Sequence, residues 1–277
     1  MAAAGVGTGS AVRRNHVTQQ GVPEGSVVLL AHGFGADQSA WGEVVPALAE
    51  HHRVVLVDHV GAGRSDLSAY DREKYSTLEG YVDDLLEVCA ELDLREVTLV
   101  AHSISAMMAL MASLREPGRF ARLVLVAPSP CYIDDPATGY VGGFSRADVE
   151  ELLESLDANF WTWSSTIAPM VMGNPDRVEL GERLTSSFRA TDPDIAQHFA
   201  HVTFFSDVRG LLDRVTVPAV VLQCVDDVLA PPEVGDHLHA HLAGSTLVHL
   251  EASGHCPHQS APEELVGAVL AALATAP

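Results

Sequence analysis

The stretch "LVAHSISAMM" (99–108) holds the key to this chain. Val97, Leu99 and Val100 are apolar and non-alternating, as in a strand buried on both faces. Residues 105–115 have the composition of a helix. Ser103 stands at the junction, with His102 before it and Ile104 after it. A serine at a sharp strand-to-helix turn presents its hydroxyl at the carboxyl edge of a sheet, where many hydrolases carry a nucleophile. The usual frame around such a serine is G-x-S-x-G, and here both glycines are replaced, by Ala101 and Ser105. Both replacements are small, as a close approach of strand and helix backbones requires.

Outward from this stretch, short apolar runs recur at 26–33, 52–59, 122–129, 217–224 and 245–251. They are rich in β-branched residues and mostly non-alternating, so they predict a parallel sheet. Helix candidates at 39–50, 76–93, 105–115 and 262–275 lie between them. This alternation predicts an α/β fold with a mostly parallel, doubly wound sheet. From Pro130 to about Asp213 no strand pattern appears. Helical pieces at 145–158, 159–171, 176–189 and 192–201 fill that interval instead. The expected organisation is a disordered tail at 1–12, a core at 13–129 and 214–277, and an inserted helical cap, or lid, at 130–213.

Composition narrows the function classes. The chain has 277 residues, 47% of them hydrophobic, enough for a sizeable core. With 37 acids against 16 bases the net charge is −21, a surface that repels nucleic acid and anionic membranes. No nucleic-acid or membrane partner is expected. Cys89, Cys131, Cys224 and Cys256 are scattered without a C-x-x-C pair, which suits a reducing cytoplasm and argues against a disulfide framework or a zinc site. The first residues lack the apolar core of a signal peptide. The expectation is a cytoplasmic protein. "GAGRSD" (61–66) starts like a dinucleotide fingerprint but has Asp66 where the last glycine belongs. The histidines of "HLHAH" (237–241) are spaced two apart, and the expectation is that they share no helix face and hold no metal.

A serine hydroxyl needs a base to become a nucleophile, and the base needs an orienting carboxylate. After the run at 217–223 come Asp226 and Asp227. After the run at 246–250 comes His255, in a glycine-containing loop. Ser103, the acid and His255 each follow a predicted strand, on one edge of a parallel sheet, in the order nucleophile, acid, base. The spacing from Asp227 to Pro231 favours Asp227, with Asp226 the alternative. An oxyanion hole needs two backbone donors. Ile104 offers one, and the loop "AHGFGAD" (31–37) offers Phe34.

Beyond the triad order, several stretches carry a resemblance: "HGFGADQSAW" (32–41), "HRVVLVDHVGAGRSDLSAYD" (52–71), "APSPCYIDD" (127–135), "ATDPDIAQHFAHVTFFSD" (190–207) and "GHCPHQSAPEE" (254–264). On these the chain resembles the α/β-hydrolase superfamily, and within it the RsbQ-like branch of bacterial stress-response regulators. Plant strigolactone and karrikin receptor hydrolases are related to that branch. The resemblance implies a Ser103–Asp227–His255 triad, an oxyanion hole from Phe34 and Ile104, and a four-helix cap over a hydrophobic cavity. The expected cavity lining is Phe34 and His102 from the core, with Phe144, Trp163, Ile167, Phe199 and Phe204 from the cap. The implied activity is that of a serine esterase or lactonase acting on a small hydrophobic ester or lactone, without cofactor or metal. The alternative it implies is a signalling protein that binds or slowly hydrolyses such a ligand and activates a PAS-domain phosphatase.

Overall fold

A computed structural model describes residues 10–274. The strands are β1 (Thr18–Gly21), β2 (Val27–Ala31), β3 (Arg53–Val57), β4 (Val97–His102), β5 (Phe120–Val126), β6 (Ala219–Val225) and β7 (Thr246–Ser253). They form one sheet in the order β1-β3-β2-β4-β5-β6-β7. β1 runs antiparallel to β3, and the other pairs are parallel. The six apolar runs are the six parallel strands. β1 escaped the sequence reading because Thr18, Gln19 and Gln20 are polar and it pairs on one side only, as at any sheet edge. The chain steps from β2 to β3 on one side and returns to β4 on the other. The crevice at that reversal, outside the carboxyl ends of the strands, is where open α/β sheets bind ligands.

The helices are α1 (Ala11–Arg14), α2 (Val45–Ala49), α3 (Leu78–Glu91), α4 (Ile104–Arg115), α5 (Arg146–Ala158), α6 (Phe160–Met172), α7 (Val178–Ala190), α8 (Pro193–Phe204), α9 (Pro232–His241), α10 (Pro257–Ser260) and α11 (Pro262–Ala274). The predicted helix at 39–50 is broken into a 3-10 turn, Gln38–Trp41, and α2, because Gly42 and Pro46 interrupt a continuous ladder. The expected disordered tail needs correcting at its end. Ala11 and Val12 belong to α1, Ala11 is buried, and Val12 N–H donates to Glu91 of α3. The remainder of that tail, residues 1–9, lies outside the described residues.

α4 is buried from Ile104 to Ser113, which explains why its sequence is apolar all round rather than striped. It packs between the sheet and α3 and brings the residue before it, Ser103, to the sheet's centre. Helices α5–α8 lie between β5 and β6 in the chain and form a separate apolar cluster with Tyr132 and Cys256. They are tied to the sheet's carboxyl edge. Ser187 Oγ donates to Gly35 O (2.7 Å), His255 N to Val171 O (2.9 Å), and Asn174 Nδ2 to Ser253 O (3.0 Å). Among the described residues no helix is long and apolar enough to cross a membrane.

Candidate active site

Ser103 has φ 56° and ψ −125°, a conformation that L residues rarely adopt. It is held from both sides. Ser103 N donates to Val126 O of β5 (2.9 Å), and Ala106 N donates to Ser103 O (2.9 Å). The turn forms with Ala101 in place of glycine. Ala101 is fully buried in β4, opposite Ala31 of β2 and Leu125 of β5. A small neighbour in β2 leaves room for its methyl. Glycine is required instead at Gly33, where a Cβ would stand 2.7 Å from His102 Nδ1 and 3.0 Å from Ser103 Cβ.

Three loops then converge. Ser103 Oγ lies 2.7 Å from His255 Nε2, and His255 Nδ1 lies 2.7 Å from Asp227 Oδ2. All three residues are buried. A carboxylate oxygen accepts, so the bond to Asp227 assigns the imidazole proton to Nδ1 and leaves Nε2 to accept from the serine. The other carboxylate oxygen, Asp227 Oδ1, accepts from the Leu229 and Ala230 amides (2.9 and 3.2 Å). Asp226 is exposed at φ 51° and takes no part. The geometry thus separates two aspartates that spacing alone left open.

His255 is fixed through its main chain as well as its ring. Its N–H goes to α6, as above, and its carbonyl accepts from His102 Nε2 at 2.7 Å. His102 was expected as pocket lining. It does border the cavity, but its ring is engaged in holding the histidine loop. Burial, and then His258 and His255 nearby, keep the His102 imidazole well below its ordinary value, hence neutral. Gly254, at φ 81°, lets the chain pass beneath α6, where a Cβ would meet Met172 O at 2.0 Å.

The two expected oxyanion donors flank this constellation. Ile104 N–H is the first amide of α4 and has no carbonyl one turn back to bond. Phe34 N–H makes no hydrogen bond to any described residue. The Phe34 ring faces the cap, with Phe188 at 5.7 Å and Trp163 at 6.3 Å between centroids.

Ser103 and His255 open into a cavity of about 180 Å³. Phe34, His102, Phe144, Trp163, Ile167 and Phe204 line it, as expected. Phe199 does not. It packs against Phe34 (5.8 Å) and Tyr81 of α3 (4.7 Å), inside the core cluster rather than on the cavity. Composition marks an aromatic as buried but not which layer receives it. Phe188 and Tyr132 are lining residues that the sequence reading did not single out. Burial pushes the Tyr132 phenol up to about 12. The available signal was positional, since Tyr132 follows the end of β5 on the same edge as the triad. Met170 and Val228 are exposed and border the cavity too, so they mark its mouth.

The histidines of α9 do not behave as their spacing suggested. His237 and His241, one turn apart, stack at 4.1 Å, while His239 turns to Ser245 Oγ. Among the described residues no group of three or more His, Cys, Asp or Glu side chains is arranged to hold a metal.

The sequence matches the alpha/beta hydrolase family over residues 28–268. It is 40% identical over 245 residues to a protein of rice (Oryza sativa subsp. japonica) named as a probable esterase, covering 88% of this chain and 90% of that one. It is 38% identical over 245 residues to the Karrikin insensitive 2 receptor CA of Petunia hybrida, covering 88% of this chain and 90% of that one. A solved hydrolase from Oleispira antarctica superposes with a TM-score of 0.92 at 40% identity, over 95% of this chain and 96% of that one. The chain belongs to the alpha/beta hydrolase family.

Proposed function

We propose that this protein is a cofactor-independent serine hydrolase acting on a small hydrophobic ester or lactone. The observation that carries the reading is the unbroken chain of short contacts from Asp227 through His255 to Ser103, opening into an apolar cavity. His255 Nε2 takes the Ser103 proton as the oxygen attacks the carbonyl carbon. The Phe34 and Ile104 amides receive the negative oxygen of the tetrahedral intermediate. The intermediate collapses, the C–O bond to the alcohol breaks, and the imidazolium returns its proton to the departing oxygen. Water enters, His255 deprotonates it, and the acyl–Ser103 bond breaks by the same steps. Asp227 keeps the proton on Nδ1 and stabilises the imidazolium. A cavity of about 150 Å³ accepts a benzene-sized guest, so this one suits a small acyl or lactone ring system. A fluorophosphonate probe is expected to label the wild type at Ser103 and to leave Ser103→Ala unlabelled. Equal labelling of both proteins overturns the assignment.

The similarity to a protein named as a receptor supports a second reading. In it, the same pocket and triad bind or slowly turn over the ligand, and the protein signals to a partner, a PAS-domain phosphatase by the RsbQ-like resemblance. Capture of such a phosphatase by the wild type and its loss with Ser103→Ala supports this reading. Fast turnover with no capture supports the plain enzyme.

A further inference from the structure

We infer that Ser105 is a positioning residue for the oxyanion hole, aiming the Phe34 amide through a buried network with His59 and His32. The inference rests on the hydrolase reading of Ser103. Ser105 stands where the nucleophile frame usually has its second glycine, and it is fully buried. A buried serine in a helix ordinarily bonds back to its own helix. Ser113 of the same α4 does this, donating to Leu110 O at 2.7 Å. Ser105 instead donates to the carbonyl of His32, 73 residues away, at 2.5 Å.

The remaining bonds fix one arrangement of protons. His59 Nε2 lies 2.7 Å from Ser105 Oγ and 3.1 Å from His32 O. A carbonyl only accepts, so His59 carries its proton on Nε2. The His59 backbone N–H donates to His32 Nε2 at 3.1 Å, so the His32 proton sits on Nδ1. From there it donates to Gly33 O at 2.9 Å. The carbonyls of His32 and Gly33 are therefore both held. A trans peptide points its N–H opposite to its C=O. Holding Gly33 C=O therefore sets the direction of Phe34 N–H, the donor with no other bond among the described residues. Burial keeps both imidazoles below their ordinary value, and neutral rings are what the network requires, because a doubly protonated His32 would present a donor to the His59 amide.

A glycine at 105 would leave space for the helix but no donor for the loop. The side chain is thus chemically used, and its effect falls on the transition state, where the oxyanion exists. The test compares Ser105→Ala and Ser105→Gly with wild type and with Ser113→Ala, which removes a buried hydroxyl from the same helix. The probes are p-nitrophenyl butyrate and an alkyl trifluoromethyl ketone, whose hemiketal oxyanion occupies the hole. Deleting an oxyanion donor costs about 100- to 1,000-fold in kcat, so misaiming one predicts a loss of about 10- to 100-fold. KM should stay within about twofold, and trifluoromethyl ketone affinity should fall in step with kcat. Ser113→Ala should lose thermal stability but keep both kinetic parameters. If Ser105→Ala and Ser105→Gly do not fold, Ser105→Cys, a weaker donor of similar size, should show an intermediate loss of kcat. Wild-type kcat and inhibitor affinity in the folded variants overturn the inference. Ser103→Ala is run in parallel: wild-type turnover in that protein defeats the hydrolase reading itself, whatever Ser105 does.

Discussion

Ser103 is held in a backbone conformation that costs an L residue about 1–3 kcal/mol. That strain predicts a split between stability and activity. Ser103→Gly should be more stable than Ser103→Ala by about 1 kcal/mol or more, and so melt higher, since only glycine adopts this φ/ψ freely. Neither should turn over ester. Thermal melts of the two variants check this, and equal melting temperatures would refute the strain. At Asp227 the expectation is chemical rather than conformational. Asp227→Asn keeps the shape but loses the charge that fixes the His255 tautomer, so kcat on p-nitrophenyl butyrate should fall by about 1,000- to 10,000-fold. Asp226→Asn, on the exposed neighbour, should stay within about twofold of wild type. At this scale Ser103, an acid and His255 are legible as candidates, because each follows a strand end and strand ends are visible as apolar runs. Choosing between Asp226 and Asp227 rested on one spacing, and the decisive fact is which carboxylate the loop turns inward. Phe199 faces the core and Tyr132 the cavity for a related reason, since direction from a helix or loop is not written in residue type.

Among the elements, α1 and the 3-10 turn Lys74–Ser76 are fastened to α3 by one buried carboxylate. Asp84 accepts from Arg14 Nη2 (2.8 Å), Tyr75 Oη (2.8 Å) and Lys74 Nζ (2.5 Å), and is itself 1% exposed. Removing one partner from a buried charged cluster leaves the others uncompensated. Arg14 also pairs with Glu87, and Lys74 is partly solvated, so the expected cost of Asp84→Asn lies near the lower end of the usual range, about 3 kcal/mol. Guanidinium unfolding should show a lowered midpoint with unchanged kcat at 25 °C, and an unchanged midpoint would refute the clamp. This anchor also explains why the expected tail ended too late. Its residues are mostly Gly, Ala and Ser, which look unstructured, yet Ala11–Arg14 is ordered by partners on a helix some 70 residues further along.

For the molecule as a whole, buried histidines govern the response to acid. His32, His59, His102 and His258 are all held below the ordinary value, with burial the first cause in each case, and His258 is pulled down to about 3. The unfolded chain would bind protons near 6.5, the folded one only at lower pH. As pH falls below about 6.5 the unfolded state gains protons first, so stability is full above about 7 and declines as the pH falls, for His258 down to about pH 3. For His258 the slope reaches about 1.4 kcal/mol per pH unit where the unfolded chain binds the proton and the folded chain does not. Melting temperature should therefore drop steeply between pH 7 and 5, and His258→Gln should reduce the steepness by about one proton's worth. A melting temperature independent of pH over that range would contradict the burial of neutral rings.

Local patterning was enough to reveal the six parallel strands, the interruption of their rhythm by a helical block, and the three loops that supply Ser103, an acid and His255. These features depend on periodicity and on order along the chain, which one residue after another can express. Packing in three dimensions was needed to select the aspartate that faces His255, the aromatics that reach the cavity, and the uses of the residues just before Ser103 and just after Ile104. His102 bonds the loop that carries His255, and Ser105 the loop that carries Phe34, each across a long separation in sequence. A hydrogen bond is directional and acts over about 3 Å. Its partner is therefore set by how loops from different strands are brought together, and no spacing in a linear sequence records that. "LVAHSISAMM" marks Ser103 as a candidate nucleophile, and only the fold shows its flanking histidine and serine bonded to the loops that carry His255 and Phe34.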